Sequence, residues 1–461
     1  MDTAFCESLS AVFRRVFASQ QAILAGLSGG LDSVVLLHAL RQWQVAERPA
    51  LRLRAVHIHH GLNPLADDWA EHCRTFCGTL SVPFQVCRVQ VDPRKKGIEA
   101  AARDARYQAF RDVIAPDEVL VTAQHLDDQS ETFFLALKRG SGPAGLSAMP
   151  EQMPFGRNLL IRPLLTFSRA QLEQYAAYHH LSRVEDDSNQ DIRYDRNFLR
   201  HEVLPQLNAR WPHFAQVVSR SAALCGEQEA LLDELLQPEL TQLTGSDNGL
   251  SFIPLLSAGT AKRNAVLRRW LKHCGVQMPS QHQLTLLWQE VALAKPDAEP
   301  GYCLKPVTIR RYQNKLYVTE KTAGLSAYCL PWDLHSALPL PDDAGILRVT
   351  ETLNPQDVVS VVRPPRPDEQ VTVRFGLQGH YHISGRDRGR SAKKLWQESG
   401  VAPWLRERTP LLWYNDTLIA AVGVFVTKEG EADEAELMIM QGKTTPSANG
   451  VAELFRTVSD Q

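Results

Sequence analysis

Apolar positions in the N-terminal third of the chain fall into short continuous runs separated by longer stretches with helical spacing. Residues 21–27 (QAILAGL) form such a run, which breaks at Ser-Gly-Gly before SVVLLHALRQW takes on the length and periodicity of a helix. Residues 51–60 (LRLRAVHIHH) read as a second strand, 67–77 as a helix and 84–91 (FQVCRVQV) as a third strand. Residues 99–113 are helical in pattern, 118–123 (EVLVTA) strand-like and 128–139 helical again. Alternating strands and helices, with strands apolar on both faces, predict a doubly wound parallel sheet of the α/β class.

The pattern changes further on. Residues 214–243 have apolar positions three and four apart, and a second helical stretch at 261–274 carries Lys262, Arg263, Arg268, Arg269 and Lys272. Residues 307–320 read as two strands around Gln313-Asn314-Lys315. Pro331, Pro339 and Pro341 mark 332–344 as a linker, after which 359–383 and 411–426 are strand-rich around one helix. The expected organisation is an α/β domain at 1–213, a mainly helical domain at 214–325 and an α+β domain at 345–461.

Composition agrees with packed domains. The 461 residues, at roughly 150 per domain, allow about three. The 50 Lys and Arg against 52 Asp and Glu leave a net charge of −2, which argues against a wholly basic nucleic-acid binder and is silent on local patches. The longest apolar run, LIAAVGVFV from Leu418 to Val426, is far short of the about 20 residues of a membrane span. With no signal-peptide pattern at the N-terminus, a cytoplasmic protein is expected. Eight cysteines are too sparse for a disulfide scaffold. Cys73 and Cys77 sit one helical turn apart with no second Cys/His pair nearby to complete a zinc site, and so read as plain thiols.

Open parallel sheets bind ligands beyond the carboxyl ends of their strands. SGGLDS (28–33) follows the first strand, HHG (59–61) ends the second and HLDDQSE (125–131) follows the fourth, so these clusters are read as one site. In SGGLDS the glycines let backbone amides approach an anion at a helix N-terminus, Ser28 and Ser33 offer hydroxyls, and Asp32 could hold a Mg2+ ion bound to phosphate. A helix cap with a glycine turn is the simpler reading, which the strand before and helix after disfavour. Neither GxxxxGK[ST] nor GxGxxG is present at this turn. The motif resembles the pyrophosphate loop of the N-type ATP pyrophosphatase superfamily. That resemblance implies ATP bound by Ser28, Gly29, Gly30, Leu31, Asp32 and Ser33, cleaved between its α and β phosphates to adenylate a carbonyl-type oxygen.

Residues 97–107 (GIEAAARDARY), 125–132 (HLDDQSET), 139–149 (RGSGPAGLSAM), 162–165 (RPLL), 187–200 (DSNQDIRYDRNFLR) and 383–412 together resemble the tRNA(Ile)-lysidine synthetase family in its longer form. The resemblance covers most of the chain. It implies a two-step ligation on tRNA(Ile) with a CAU anticodon: ATP adenylates O2 of the wobble cytidine, and free L-lysine displaces AMP through its side-chain amine. Asp128 and Glu131 share a helix face, as Asp127 and Glu131 could, and the resemblance assigns Asp128 and Glu131 to lysine. A capping or solvated acidic first turn is the alternative for Asp127. Arg103 and Arg106 could each bind triphosphate or adenylate, and the resemblance favours one of the two without selecting it; with Asp32 and Asp128 they form the expected catalytic set. Arg196, Asn197 and Arg200 are expected on nucleotide or anticodon phosphates.

His59, His60 and His125 read as hydrogen-bonding residues in preference to a transition-metal site. Residues 386–408 hold seven Arg/Lys against three Asp/Glu, with Trp396 and Trp404 interleaved. Their cations, Arg390, Lys393 and Lys394 among them, are expected on RNA and the tryptophans in the core. A tRNA sulfur-transfer enzyme of the same superfamily is the nearest rival, disfavoured because no CxxC occurs. A non-catalytic nucleotide-binding protein would not need Asp32, Asp128 and Glu131 together.

Overall fold

The structure, a computed structural model, describes residues 3–91, 97–295, 298–320, 322–351, 359–386, 388–432 and 435–442. The end of the expected C-terminal domain, 443–461, and Asp387 of the basic segment lie outside the described residues. The chain divides into two compact units, Met1–Leu235 and Leu236–Gln461.

The first unit runs α1 (Thr3–Val16), β1 (Ala22–Gly26), α2 (Leu31–Glu47), β2 (Arg52–His59), α3 (Ala66–Thr79), β3 (Phe84–Arg88), α4 (Ile98–Val113), β4 (Glu118–Val121), α5 (Leu126–Lys138), α6 (Pro143–Leu146), β5 (Gln152–Phe155), β6 (Asn158–Ile161) and α7 (Arg169–Tyr178). It closes with α8 (Asp195–Phe198), a π turn at Leu199–Val203, α9 (Leu204–Arg210) and the start of α10 (Phe214–Leu243), which crosses the division between the units. The strand order is β3-β2-β1-β4-β6-β5, parallel except for β5, which pairs antiparallel with β6. That edge hairpin is absent from the strand-and-helix pattern read above.

Period-two alternation sorts the strands' side chains between two cores. Ile23, Ala25, Leu53, Ala55, Val119, Val121 and Ile161 pack with α1, α2, α3 and α7 on one face. Leu24, Val56, Ile58, Leu120 and Leu160 pack with Ala109 and Phe110 of α4 on the other. Each fully buried aliphatic side chain contributes roughly 1.5–3 kcal/mol, so a one-residue register slip would reverse every inward position.

The second unit begins with the end of α10, β7 (Leu250–Ser251), α11 (Thr260–His273), α12 (Gln281–Leu287), β8 (Gly301–Leu304), β9 (Val307–Tyr312) and β10 (Lys315–Glu320), the strands ordered β7-β10-β9-β8. There follow β11 (Cys329–Pro331), β12 (Leu338–Pro339), β13 (Ile346–Val349), β14 (Val359–Val362), β15 (Val371–Arg374), β16 (His380–Tyr381), β17 (Arg390–Ser391), α13 (Ala392–Glu398), α14 (Pro403–Arg406), β18 (Leu411–Tyr414), β19 (Thr417–Ala421), β20 (Phe425–Val426) and β21 (Leu437–Gly442). They form sheets ordered β11-β15-β18-β19-β20 and β12-β13-β21-β14, with a small β16-β17 pair.

The proline-rich stretch expected to be a linker is part of this core. Trp332 and Leu340 are buried in it, and the Trp332 indole donates to the Ser336 carbonyl at 2.8 Å. Pro331 and Pro339 lie on β11 and β12, each at the edge of its sheet, where a missing N–H costs no ladder bond.

Candidate active site at the β1–β4 crevice

Going outward from β1, the chain places β2 and β3 on one side and β4 and β6 on the other. The order reverses between β1 and β4, which opens a crevice between their carboxyl ends. SGGLDS leaves β1 there and HLDDQSE leaves β4.

The first loop is braced from within. The Ser28 and Ser33 hydroxyls are 3.0 Å apart, Ser33 Oγ accepts from the Ser28 amide at 3.1 Å, and it donates to the Gly30 carbonyl at 3.0 Å. Ser33 is therefore a buried brace, whereas Ser28 is exposed. Gly29 adopts φ +87°, and a Cβ there would stand 2.8 Å from Val184 Cγ2 and 3.1 Å from Cys73 Sγ. Only glycine fits. Cys73 and Cys77 are free thiols, as expected; burial pushes the Cys73 thiol up to about 12, so it packs beneath the loop as an inert group. The Leu31 side chain is in the core, which leaves its backbone to face a ligand. No side chain caps α2, so its amides remain open to an anion.

At the second loop, His125 is 1% exposed and touched by three carboxylates: Asp32 at 3.6 Å, Asp128 at 3.5 Å and Asp127 at 3.5 Å. Burial opposes charge on the ring, but the carboxylates, Asp128 foremost, overcome it and raise its pKa to about 10. In the neutral ring Nδ1 accepts from the Asp127 amide at 3.2 Å; in the charged ring the same nitrogen donates to the Asp127 carboxylate. Burial alone would raise the Asp32 and Asp127 carboxyls, and the His125 ring holds both below their ordinary value.

Asp128 accepts from the His125 amide at 3.1 Å, completing the cap of α5, and also receives Arg200 Nη2 at 3.2 Å. Glu131 has no exposed side-chain surface and takes Arg200 on both oxygens, at 2.6 and 3.0 Å, with Arg196 Nε at 3.7 Å. Burial pushes the Glu131 carboxyl up, and the Arg200 fork opposes that shift. Arg200 and Arg196 thus neutralise carboxylates in this state, where phosphate contacts were expected. Asn197 is buried and donates to the Asp191 carbonyl at 3.0 Å, a brace for the turn in place of the expected phosphate contact.

Two members of the cluster take roles beyond the sequence reading. His125 reads in the sequence as a hydrogen-bonding residue of the site, and the structure adds the three carboxylates around it. Arg169 donates its amide to Asp127 at 2.8 Å and sets its guanidinium 3.8 Å from Asp32. Its signal was the Ser168–Gln171 capping box that starts α7.

Arg103 and Arg106 part company. Arg106 approaches His60 at 3.4 Å beside the end of β2, and burial first, then Arg106, push the His60 imidazole down to about 4, leaving a neutral acceptor. Arg103 lies over the Tyr107 ring at 5.4 Å on the side of Met153 and Arg162. His59 faces Asp67 at 3.2 Å. Among the described residues no group of three or more His, Cys, Asp or Glu is arranged to hold a metal ion. Asp32 Oδ1 is nonetheless buried without a hydrogen-bond partner, which suits Mg2+ held by one carboxylate and by phosphate oxygens.

In the second unit Trp396 is core, and Trp404 packs on Tyr312 and Tyr317 at 6.1 and 5.5 Å. Arg386 and Arg390 both face Glu398, the latter at 3.8 Å, and Arg408 pairs with Asp342. Lys393 and Lys394 are exposed on α13, with no carboxylate within 4.0 Å among the described residues.

Residues 1–207 match the PP-loop domain family, 250–317 the TilS substrate binding domain and 371–440 the TilS substrate C-terminal domain. The chain is 54% identical over 433 residues to the tRNA(Ile)-lysidine synthase of Photorhabdus laumondii, across 94% of this chain and 97% of that protein. The chain belongs to the tRNA(Ile)-lysidine synthase family. Family proteins from Yersinia pseudotuberculosis (54% over 427 residues, 90% of this chain and 94% of theirs) and Shigella flexneri (52% over 421 residues, 91% and 95%) match over similar spans. The three matched segments place the crevice in the PP-loop part of a lysidine synthase chain and Lys393 and Lys394 in its C-terminal substrate domain.

Proposed function

We propose that the protein converts the wobble cytidine of tRNA(Ile) with a CAU anticodon to lysidine, using ATP and free lysine, and so gives that tRNA isoleucine identity and AUA decoding. The observation that carries this reading is the meeting, at one crevice, of an uncapped glycine loop suited to phosphate and a carboxylate cluster suited to a cationic substrate. Family membership names the tRNA and the product.

In the first step cytidine O2 attacks the α phosphorus of ATP and pyrophosphate leaves, held by the loop amides and the Ser28 hydroxyl. Mg2+ on Asp32 would offset phosphate charge. Arg106, beside the end of β2, is assigned to triphosphate and adenylate oxygens, and Arg103, on the side of Met153 and Arg162, is not. In the second step the lysine Nζ, having lost a proton, attacks C2 of the pyrimidine and AMP departs with the former O2. Adenylation is needed because an oxide leaves a pyrimidine poorly.

Asp128 and Glu131 receive the lysine ammonium in exchange for Arg200, a cation-for-cation swap that leaves the buried carboxylates compensated and frees Arg200 for phosphate. Lys393, Lys394 and Arg390 are assigned to tRNA phosphates.

The test is a purified-protein assay with CAU-anticodon tRNA(Ile). AMP and pyrophosphate formed in proportion to lysine attached at the cytidine support the reading. AMP formation that ignores lysine but follows a sulfur donor would replace it with sulfur transfer, and ATP binding without AMP would reduce the protein to a nucleotide-binding module.

A further inference from the structure

Helix α4 presents Arg103, Tyr107 and Arg111 at four-residue spacing, one stripe along its surface. That stripe walls an open cleft of about 530 Å³, completed by Met153 of β5 and Arg162 just beyond β6. Arg162 is 4% exposed. Its Nη1 donates to the Pro150 carbonyl at 2.8 Å and its Nη2 meets Met153 Sδ at 3.4 Å, while its Nε is buried with no hydrogen-bond partner. Among the described residues no carboxylate lies within 4.0 Å of Arg162 or Arg111. Arg111 instead lies over the Phe155 ring at 5.1 Å.

Burying a guanidinium without a counter-ion costs several kcal/mol, and proteins keep such a group where an anion completes it. Burial weakens the hold of Arg162 on its proton, which the Tyr107 hydroxyl only partly offsets. Three guanidinium groups line the cleft against the single carboxylate of Asp104.

We propose that this cleft is a phosphate site for the RNA strand beside the reacting nucleotide, with Arg162 at its floor and Arg103 and Arg111 along its wall. The proposal rests on the RNA-modifying reading above. An RNA backbone fits better than ATP for two reasons. The ATP loop follows β1, and β4 intervenes before β6, so the cleft stands about 10 Å away across the sheet. The stripe from Arg103 to Arg111 is also about 12 Å long, enough for successive phosphates of a strand, and supplies side-chain cations instead of a glycine nest.

The experiment measures binding of CAU-anticodon tRNA(Ile) and, separately, of ATP to the full-length protein over a salt series, for wild type, Arg162→Gln, Arg162→Lys and Arg111→Gln. Arg162→Gln should weaken tRNA binding about tenfold and reduce the slope of log K against log salt by about one, with ATP affinity within about twofold of wild type. Arg162→Lys should keep the slope and lose part of the affinity, because the charge remains and the fork does not. Arg111→Gln, which disturbs no backbone bond, should lower the slope with a smaller loss of affinity and an unchanged melting temperature.

Loss of ATP affinity with an unchanged tRNA slope would overturn the proposal in favour of a free-nucleotide site. Unchanged binding of both ligands in Arg162→Gln and Arg111→Gln would make Arg162 a brace for the β5–β6 edge. A wild-type protein that binds tRNA with the expected slope yet forms no AMP would defeat the ligation reading and leave the cleft assignment standing.

Discussion

Two regions of this molecule carry dense charge and use it in opposite ways. At the β1–β4 crevice, Asp32, His125, Asp127, Asp128, Glu131, Arg196 and Arg200 are partly or wholly buried and mutually compensated, so each charge depends on its neighbours. Along residues 386–408, Arg386, Arg390 and Arg408 have carboxylate partners while Lys393 and Lys394 stand in solvent. Buried charge is fixed in position and suited to chemistry; exposed charge is screened by salt and suited to adjustable attraction of a polyanion.

The contrast breaks most visibly at Asp32. Asp32→Ala should lower tRNA- and lysine-dependent AMP formation by about a thousandfold or more; activity within tenfold of wild type would remove Asp32 from the machinery.

Glu131→Gln comes next. It strips Arg200 of its closest counter-charge and should destabilise the first unit by about 3–5 kcal/mol in denaturant titrations, whereas Glu131→Leu with Arg200→Met should recover much of that loss. A near-neutral single variant would show the pair to be solvated.

His125 sharpens the comparison through pH. Its folded pKa of about 10 stands above the ordinary 6.5, so its stabilising contribution is complete below pH 6.5 and is lost as pH rises towards 10. At about 1.4 kcal/mol per pKa unit, the ligand-free protein should lose a few kcal/mol between those limits, and His125→Asn should flatten that slope. Equal slopes in the two proteins would place the neutral ring in the native state.

The smallest effect belongs to the exposed region. Lys393→Ala with Lys394→Ala should weaken tRNA binding up to about tenfold and lower the salt slope by about two, with stability unchanged. Unaltered affinity would withdraw α13 from the RNA surface.

Much of this architecture is legible in the sequence. The strand–helix alternation from residue 21 to 139 matches β1 to α5, because apolar runs and glycine turns are local signals. The convergence of SGGLDS and HLDDQSE followed from a general property of parallel sheets. Proline misled at 331–344, since an edge strand tolerates it as readily as a linker does. Arg200 and Asn197 were assigned to phosphate, because nothing local reveals that Glu131, 69 positions before Arg200, lies beneath it.

The chain by itself determined the α/β class, the glycine loop, the acidic start of α5 and, through motif resemblance, the family. These depend on neighbours in sequence and on residue type. Only the tertiary structure decided that β1 and β4 are adjacent, that His125 is enclosed by three carboxylates, that Arg106 meets His60 while Arg103 lies beside Met153 and Arg162, and that Arg162 is buried without a counter-ion. Those outcomes depend on strand order and on burial, and burial sets what each charge costs and which partner it must find.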